Sequence, residues 1–453
     1  MTFAAKYEPC KTVFQKMQSV FSPATRLLSK PLPKADETNV GVTMSLNYPG
    51  LSASGKPMNG PREDGKISSL CTRTDAAIFQ MLDSETLEPI GVARQETLHP
   101  LLKGPISGAH AKSDPVTGDV FNFNLQFSGK LGTYRVFRTS ASTGQTDILA
   151  TLNHTTAYLH SIFLTENYVV VCIWNSYFKQ GGMSLLFNNN IVESLEYDDS
   201  QPAKWFVIDK RPMKDGGQGV VATYDSPPFF GFHSVNAYEE FSKNGTKYII
   251  ADIPTYESLE VLNAFYFDNI LSDSPTAAEV QGRWGEMIAP RYRRYRLPDI
   301  PSQPRQETRP AVEEFELERN DTPELPTLNW SVVTKKHRFV YGLGDSGKST
   351  FADSLLKLDL EDCSVKRWSK HGHTAGEAIF IADPDSSDED GGVLVTVVLD
   401  GIEGKSYLLV LDAKDLSELG RANVNGAVGF GFHGVFAKAK HEVGKDSSWT
   451  SDF

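Results

Sequence analysis

The sequence predicts an all-β protein built as a β-propeller, and three observations lead to this prediction. Short runs rich in β-branched and aromatic residues recur from about residue 40 onwards, separated by Gly, Asn, Asp and Pro turns. Helical periodicity is confined to two segments. The strand pattern extends through a chain of 453 residues, which is too long for one sandwich, so repetition around an axis is favoured.

The strand runs are separated by segments such as DPVTGD and SASTGQ, whose length and composition are typical of tight hairpins. The clearest predicted strands are residues 40–48, 120–127, 133–140, 167–174, 205–210, 247–253, 393–400 and 406–413. We treat residues 1–453 as one domain that begins with a helical lead-in over residues 1–38.

Four further segments have their own patterns. Residues 10–21 and 256–271 each place apolar side chains on one helical face, most simply for core packing. Residues 298–326 are rich in Pro and charge and predict a long surface connection. The acidic residues 383–392 predict a solvated hairpin loop.

Composition excludes several classes of function. A formal net charge of −12 disfavours a nucleic-acid partner, because binding to phosphates requires a basic surface. No apolar run reaches the roughly 18 residues of a membrane-spanning helix, and the polar N-terminus predicts no signal peptide. The four cysteines, Cys10, Cys71, Cys172 and Cys363, form no C-x-x-C pair, so we expect a reducing, cytoplasmic location.

A formal match to a phosphate-binding loop lies at Gly342–Ser349, where GLGDSGKS has the spacing G-x-x-x-x-G-K-[ST]. Such a loop functions where a strand leads into it and a helix leaves it, so that amide groups face the phosphates. Here the following residues, LLKLDLEDCSVKRW, alternate like a strand. We therefore predict a glycine-rich hairpin turn and no bound nucleotide.

Four of the ten histidines occur in similar settings, beside small residues or Phe and next to strand-like runs. They are His110, His160, His233 and His433. Imidazole nitrogens are good ligands for iron, and histidines on different strands can converge at a propeller axis. Spacing alone leaves open the alternative that each is a buried structural histidine.

The sequence around these histidines resembles that of the carotenoid cleavage dioxygenase family. The matching contexts are AHAKSDP, HSIFLTENYVV, FHSVNAYEE and FHG, in that order along the chain. DSETLEPIGVA and RRYRLP are most similar to the fungal torulene dioxygenase branch. The resemblance implies that His110, His160, His233 and His433 bind one Fe²⁺ per chain. It also implies that Asp75, Glu324 and Glu377 hydrogen-bond to the outer nitrogens of three of these histidines, with Asp75 standing where the family often has Glu.

The resemblance further implies a seven-bladed propeller in which a few helices and loops cap the iron site. An N-terminal segment usual in the family is missing from the sequence, so closure of the propeller is in question. The implied reaction uses O₂ to cleave one conjugated C=C bond of a carotenoid or apocarotenoid into aldehydes. The alternatives are a non-catalytic propeller that binds a polyene or a protein, and cleavage of another alkene such as a stilbene, which Thr74 disfavours because stilbene-cleaving members have Lys there.

The implied partner is a hydrophobic polyene held in an apolar tunnel, and the phenylalanines beside the histidines are candidates to line it. These are Phe163, Phe229, Phe230, Phe232 and Phe432. Because polyenes reside in membranes, we expect a peripheral membrane contact, with residues 177–195 as the candidate through Met183, Leu185, Leu186 and Phe187. A packed crossing inside the propeller is the alternative for this segment. The pair His371 and His373 is expected to lie in a loop near the iron site.

Overall fold

Antiparallel strands make up most of the computed structural model. It describes residues 32, 34–38, 40–60, 67–129, 131–188, 190–271, 285 and 287–437, without the side chains of residues 186–188. Within these residues, six sheets of four or five strands form a propeller-like array, and we call them blades 1 to 6. In addition to these blades, a small sheet of two strands pairs Tyr177–Phe178 with Leu195–Glu196.

The first three blades lie mainly in the first half of the chain. Blade 1 contains Thr43–Leu46, Ser69–Arg73, Ile78–Asp83 and Pro89–Arg94. Blade 2 contains Ile106–Ser107, Lys112–Ser113, Val120–Ser128, Leu131–Thr139 and Thr146–Thr155. Blade 3 contains Phe163–Leu164, Tyr168–Ile173, Ala203–Asp209, Val220–Ser226 and Thr308–Pro310.

The remaining blades follow in chain order. Blade 4 contains Phe230–Gly231, Asn236–Phe241, Lys247–Tyr256, Arg291–Leu297 and Val312–Leu317. Blade 5 contains Glu324–Thr327, Phe339–Gly344, Ser354–Asp359 and Ser364–Trp368. Blade 6 contains His373–Ala375, Ile379–Ala382, Gly392–Asp400, Lys405–Asp412 and Glu418–Asn423.

The strands form where the sequence alternates or is continuously apolar, and the turns form where a side chain can cap the backbone. Gly392–Asp400, GVLVTVVLD, buries alternate residues of its central part, as expected for a strand with one face in the core. In the DPVTGD turn, Oδ1 of Asp114 accepts hydrogen bonds from the amides of Val116 and Thr117. Gly118 completes this turn with a φ of 72°, a conformation that favours glycine. All eight predicted strands are confirmed.

The prediction of seven blades is wrong for the part of the chain that the structure describes, which supplies the strands of six. The number seven followed from the family resemblance, because the sequence repeats between blades are too weak to count. The helix predicted at residues 10–21 lies outside the described residues, as does most of the lead-in 1–38, of which Ala35–Glu37 form one 3-10 turn.

Residues 298–326 do not form one surface connection as predicted. They contain an edge strand of blade 3, an edge strand of blade 4 and the first strand of blade 5. The charged residues that suggested a loop form ion pairs across the sheet. Arg291 and Arg293 contact Glu316, and Arg296 contacts Glu314. A strand whose carboxylates face arginines of its neighbour is charged and regular at the same time.

Helices are short. The predicted helix at residues 256–271 is divided into Glu260–Ala264 and Phe267–Ile270, because Tyr266 between them has an extended backbone. Among the described residues, the other α-helices are Gln95–Leu98 and Met183–Asn188. Short 3-10 turns lie at Lys179–Gly182, Val192–Ser194, Met213–Asp215, Arg319–Asp321 and Trp330–Val332. The acidic residues 383–392 connect two paired strands of blade 6, which confirms the predicted hairpin loop. No described helix is long and apolar enough to span a bilayer.

Candidate metal centre

The four predicted histidines meet at one point of the structure. His110, His160 and His233 lie beside the short first strands of blades 2, 3 and 4, and His433 follows the last strand of blade 6. One ring nitrogen of each lies within 4.8 Å of the others. The ring centroid of His110 lies 4.7 Å from that of His160, 4.8 Å from that of His233 and 4.3 Å from that of His433.

Backbone and serine hydrogen bonds fix the segments that carry these rings. The amide of His110 donates to the carbonyl of His160 at 3.1 Å. Oγ of Ser161 donates to the carbonyl of Phe232 at 2.8 Å and accepts from the amide of Ser234 at 2.9 Å. Three successive blades are therefore tied to one another next to the histidines they supply.

Asp75 reaches His160 directly, although its side chain is one methylene shorter than the Glu expected from the resemblance. Oδ1 of Asp75 lies 2.8 Å from Nδ1 of His160, and the residue is 1% exposed. The backbone brings it close, because the carbonyl of Asp75 accepts from the amide of Ser107 at 2.8 Å. The hydroxyl of Tyr158 donates to Oδ2 of Asp75 at 3.0 Å, so both carboxylate oxygens are held.

The other two predicted acids also bind the outer nitrogen of a histidine. Oε2 of Glu324 lies 2.8 Å from Nδ1 of His233, and the hydroxyl of Tyr256 donates to Oε1 of Glu324 at 2.8 Å. Oε1 of Glu377 lies 2.9 Å from Nδ1 of His433. A carboxylate accepts hydrogen bonds, so in His160, His233 and His433 the proton of the neutral imidazole is on Nδ1 and the lone pair is on Nε2.

Electrostatics favour a neutral His233 beside an ionised Glu324. Burial lowers the pKa of His233 to about 4, although Glu324 acts in the opposite direction. Burial, followed by the other three histidines, lowers the pKa of His110 well below its usual value. Burial acts to raise the pKa of Glu324, but its contact with His233 and its other hydrogen-bond donors outweigh burial and lower it. Burial also raises the pKa values of Tyr158 and Tyr256, which stay donors at neutral pH.

This donor set fits a transition-metal ion. Among the described residues, the buried Nε2 of His233 has no hydrogen-bond partner, and a buried polar atom in that state indicates a missing ligand. Imidazole nitrogens suit iron, zinc, copper and nickel, and carboxylates on the outer nitrogens orient such ligands. The arrangement of Asp75, Glu324 and Glu377 around the histidines is therefore the arrangement that a metal centre requires.

An apolar cleft of about 1200 Å³, counting its open mouth, begins at three of these histidines. Aromatic rings continue from Phe232 through Phe265, Phe351 and Phe430 to Phe432 at centroid separations of 4.7 to 6.2 Å. Of the five phenylalanines proposed from the sequence, Phe232 and Phe432 line the cleft.

Comparison with known proteins agrees with this geometry. A family model described as "Retinal pigment epithelial membrane protein" matches residues 3–438. The chain belongs to the carotenoid oxygenase family. It is similar to a carotenoid dioxygenase of Neurospora crassa, with 38% identity over 463 aligned residues that cover 96% of this chain and 74% of the relative. It is also 36% identical to a torulene dioxygenase of Gibberella fujikuroi over 97% of this chain and 76% of that protein.

The fold of the family agrees as well. The structure of cobalt-substituted Synechocystis apocarotenoid oxygenase superposes with a TM-score of 0.63, covering 87% of this chain and 80% of that one at 19% identity. At this identity the likeness concerns the fold alone. The curated relatives show that this member of the carotenoid oxygenase family is a dioxygenase enzyme.

In this dioxygenase the three other phenylalanines belong to the packed interior. Phe163 contacts Trp205, and Phe229 packs against Tyr295, so both are core residues. Phe230 packs behind Phe232. Sequence reasoning did not find Phe265 and Phe351, which lie far along the chain from the four clustered histidines but contact each other in the fold and line the cleft.

Two other predictions concern the pair His371 and His373, expected in a loop near the iron site, and the segment 177–195; His373 instead begins the strand His373–Ala375. His373 is buried in blade 6, where its Nδ1 lies 3.1 Å from the hydroxyl of Tyr407, while His371 is exposed. Within the described residues, neither belongs to a group of metal-ligating side chains. In the proposed membrane segment 177–195, Met183 is 48% exposed, but Leu185 is only 4% exposed and packs in the core. The side chains of Leu186 and Phe187 lie outside the described part of the chain.

The phosphate-loop match is a hairpin, as predicted. Phe339–Gly344 pairs antiparallel with Ser354–Asp359, and residues 345–353 connect them without a helix. We call these residues the 345–353 loop. Its residues Asp345, Ser349, Thr350 and Phe351 line the cleft, a role that the sequence motif did not indicate.

Proposed function

We propose that the protein is an Fe(II)-dependent dioxygenase that cleaves one conjugated C=C bond of a carotenoid or apocarotenoid, of the torulene or β-carotene type, into aldehyde products. The observation that carries the proposal is the cluster of four histidines, three of them oriented by carboxylates, at one end of an aromatic cleft. The names of the fungal relatives, carotenoid dioxygenase and torulene dioxygenase, support the substrate class.

Nε2 of His110, His160, His233 and His433 would hold the iron. Bound ferrous iron with open coordination positions supplies the activation of dioxygen, which organic side chains do not provide. The protein residues orient the imidazoles. Because Asp75, Glu324 and Glu377 each accept a hydrogen bond from Nδ1, they select the imidazole tautomer whose lone pair is on the metal-facing Nε2.

The cleft determines which bond reacts. An extended polyene is apolar and nearly rigid, so the aromatic walls formed by Phe232, Phe265 and Phe351 would bind it by burial of its surface and hold one double bond beside the histidines. Addition of both atoms of O₂ across that bond breaks it and leaves a carbonyl oxygen on each carbon. Two aldehydes account for all atoms of the substrate and the O₂.

The test is anaerobic purification with ferrous iron, metal quantification, and mass analysis of products from torulene and β-carotene in detergent. We expect about one iron per chain and paired aldehydes that form only when oxygen is admitted. His233→Ala should abolish both, whereas His371→Ala, which removes an exposed histidine outside the cluster, should change neither.

Folded protein that binds no iron would contradict the metal assignment and would favour a non-catalytic polyene-binding propeller. Iron binding without products from either polyene would contradict the substrate class. The cytoplasmic location and the peripheral membrane contact stay predictions.

A further inference from the structure

One face of blade 6 is apolar, and the described residues leave it partly exposed. In the central part of Gly392–Asp400, every second side chain is buried on the side of blade 5, and the valines between them are only half-buried. The strand register places Val395 between Ile379 and Val410, and Val397 beside Leu408. We call the residues of this surface the open face, namely Ile379, Ile381, Val393, Val395, Val397, Leu408 and Val410.

The open face is unusual among the blades. Strands inside blades 3, 4 and 5, such as Tyr168–Ile173, Lys247–Tyr256 and Phe339–Gly344, are buried on both faces over most of their length. Blade 6 shares a hydrophobic cluster with blade 5, but no cluster of the described residues joins blade 6 to blade 1. A contiguous apolar surface of this kind indicates an interaction site.

Residues 35–40 show which part of the chain approaches this place. They lie on the side of blade 1 that faces away from blade 2. Nε2 of Gln80 donates to two carbonyls of this segment, at 2.8 and 2.7 Å, and Oε1 accepts from one of its amides at 3.3 Å. Phe79, the next residue in the strand, points to the opposite side and shares a cluster with Val120 of blade 2.

The chain before residue 35 continues from beside blade 6. Val42, at the start of blade 1, lines the cleft together with Phe432 and His433, which follow the last strand of blade 6. The beginning of blade 1 and the end of blade 6 are therefore close in space. A segment of 31 residues is long enough to cross the open face, because a nine-residue strand is only about 30 Å long.

The sequence of residues 1–31 is complementary to the open face. The stripe predicted over residues 10–21 supplies apolar side chains on one helical side. Residues 1–31 contain five basic residues and one acidic residue, a formal charge of +4. Residues 379–423, which form the open face and its surroundings, contain ten acidic and three basic residues, a formal charge of −7. Opposite charges would steer the segment to this blade.

The same charges disfavour two other occupants. A second copy that used its own open face would bring two acidic surfaces together, and an anionic bilayer would also meet negative charge with negative charge. A basic segment with an apolar stripe has neither disadvantage.

We propose that residues 1–31 dock on the open face of blade 6, with the apolar stripe of residues 10–21 against the sheet. The chain thereby covers the side of blade 6 that blade 5 does not cover. This interaction concerns the assembly of the propeller and does not depend on the proposed reaction.

The test measures proximity in the full-length protein. Pairs of cysteines are introduced and treated with dibromobimane, a short reagent that joins two thiols. All proteins carry Cys10→Ser and Cys363→Ser, which remove one thiol of the docking segment and one exposed thiol, whereas Cys71 and Cys172 are buried and are left in place.

The test pair combines Met17→Cys, on the apolar stripe, with Leu408→Cys, which is on the open face and 36% exposed. The first control pair keeps Leu408→Cys but uses Ser19→Cys, about 200° around the predicted helix from Met17. The second keeps Met17→Cys but uses Phe241→Cys, an exposed position on blade 4.

We expect the test pair to be joined within one chain about tenfold faster than either control pair, because docking raises the effective concentration of one thiol at the other above that of a free tether. Mass analysis of the linked peptides identifies the product. Equal rates for the three pairs would show that the segment does not dock. Links between two chains, seen as a doubled mass on a denaturing gel, would assign the open face to a second copy. Either result would overturn the proposal.

A second measurement needs no reagent. Met17→Asp places a charge on the apolar stripe and should lower the melting temperature, whereas Ser19→Asp adds the same charge on the other side and should change it less. Equal melting temperatures of the two variants would also contradict docking through the stripe.

Discussion

At the scale of single residues, the candidate metal centre depends on how the short side chain of Asp75 is held in position. A shorter carboxylate loses reach, and the structure compensates through the backbone contact to Ser107 and the hydroxyl of Tyr158. Tyr158 and His160 are two residues apart in an extended segment, so both side chains lie on one side and can share Asp75. The carboxylate therefore has one orientation available to it.

Asp75→Asn should weaken metal binding about 10-fold to 100-fold, the usual cost of losing an outer partner of a metal-ligating histidine. The amide keeps the shape but lacks the negative charge that fixes the proton on Nδ1 of His160. Competition with a chelator of known affinity measures the change.

Tyr158→Phe is the smaller step, because it removes one hydrogen bond to Asp75 and leaves the charge in place. Its effect on metal affinity should be less than that of Asp75→Asn. Asp114→Asn, a buried aspartate whose contacts are with Lys210 and with the amides of its own turn, is the control. Equal affinities of the wild type and Asp75→Asn would show that this carboxylate does not orient a ligand.

At the scale of elements, local patterns predicted the strands well because alternation and turn chemistry are short-range properties. The four histidines and their acids required the family resemblance, since Glu324 meets His233 across 91 positions of sequence and no local rule connects them. Tyr256 was missed for the same reason. Tyr158 could have been found, since its two-residue spacing from His160 was visible in the sequence. The number of blades could not be predicted, because the blades have the same strand arrangement but no recognisable sequence similarity to one another.

The 345–353 loop should not bind nucleotide, because the chain continues from the loop into the strand Ser354–Asp359 and not into a helix whose N-terminus could face a phosphate. Lys348 is exposed and does not line the cleft. Lys348→Ala should therefore retain wild-type cleavage activity, and ATP with Mg²⁺ should leave the melting temperature of both proteins unchanged. A rise in melting temperature with ATP, lost in the variant, would contradict the assignment of this loop as a structural hairpin.

At the scale of the whole molecule, every blade contributes to the centre. Asp75 lies in the turn between two strands of blade 1, His110 belongs to blade 2, and His160 precedes blade 3. His233 lies in blade 4, Glu324 begins blade 5, and Glu377 lies between strands of blade 6. A metal bound by His110, His160, His233 and His433 would join blades 2, 3 and 4 to the segment after blade 6, so binding it should stabilise the assembly of the blades.

Removal of the metal should therefore lower the melting temperature of the whole protein. A ligand at about 100 times its Kd stabilises the folded state by about 2.7 kcal/mol. Calorimetry of the iron-loaded and chelator-treated protein measures the shift, and His233→Ala should melt at one temperature with or without added iron. An equal melting temperature for the loaded and stripped wild type would show that the metal does not support the assembly of the blades.

His337 gives the fold a dependence on pH that is independent of the metal. It lies before the blade 5 strand Phe339–Gly344, and its Nε2 is 3.3 Å from Oδ2 of Asp252 in blade 4. Burial lowers its pKa from 6.5 to about 4, although Asp252 acts to raise it. Between these two values the unfolded chain binds more protons than the folded chain, so stability falls as the pH falls from about 6.5 to about 4.

Over this whole pH range, the lowered pKa of His337 reduces the free energy of unfolding by about 3 kcal/mol. His110 and His233, whose pKa values are also lowered, act in the same direction, so the wild type alone cannot isolate His337. His337→Gln should therefore lose less stability than the wild type between pH 7 and pH 4, as measured by urea unfolding of metal-free protein at each pH. Parallel stability profiles for the two proteins would mean that this buried histidine does not couple blades 4 and 5 to the pH, whereas a flatter profile for the variant assigns part of the acid sensitivity to this one contact between blades.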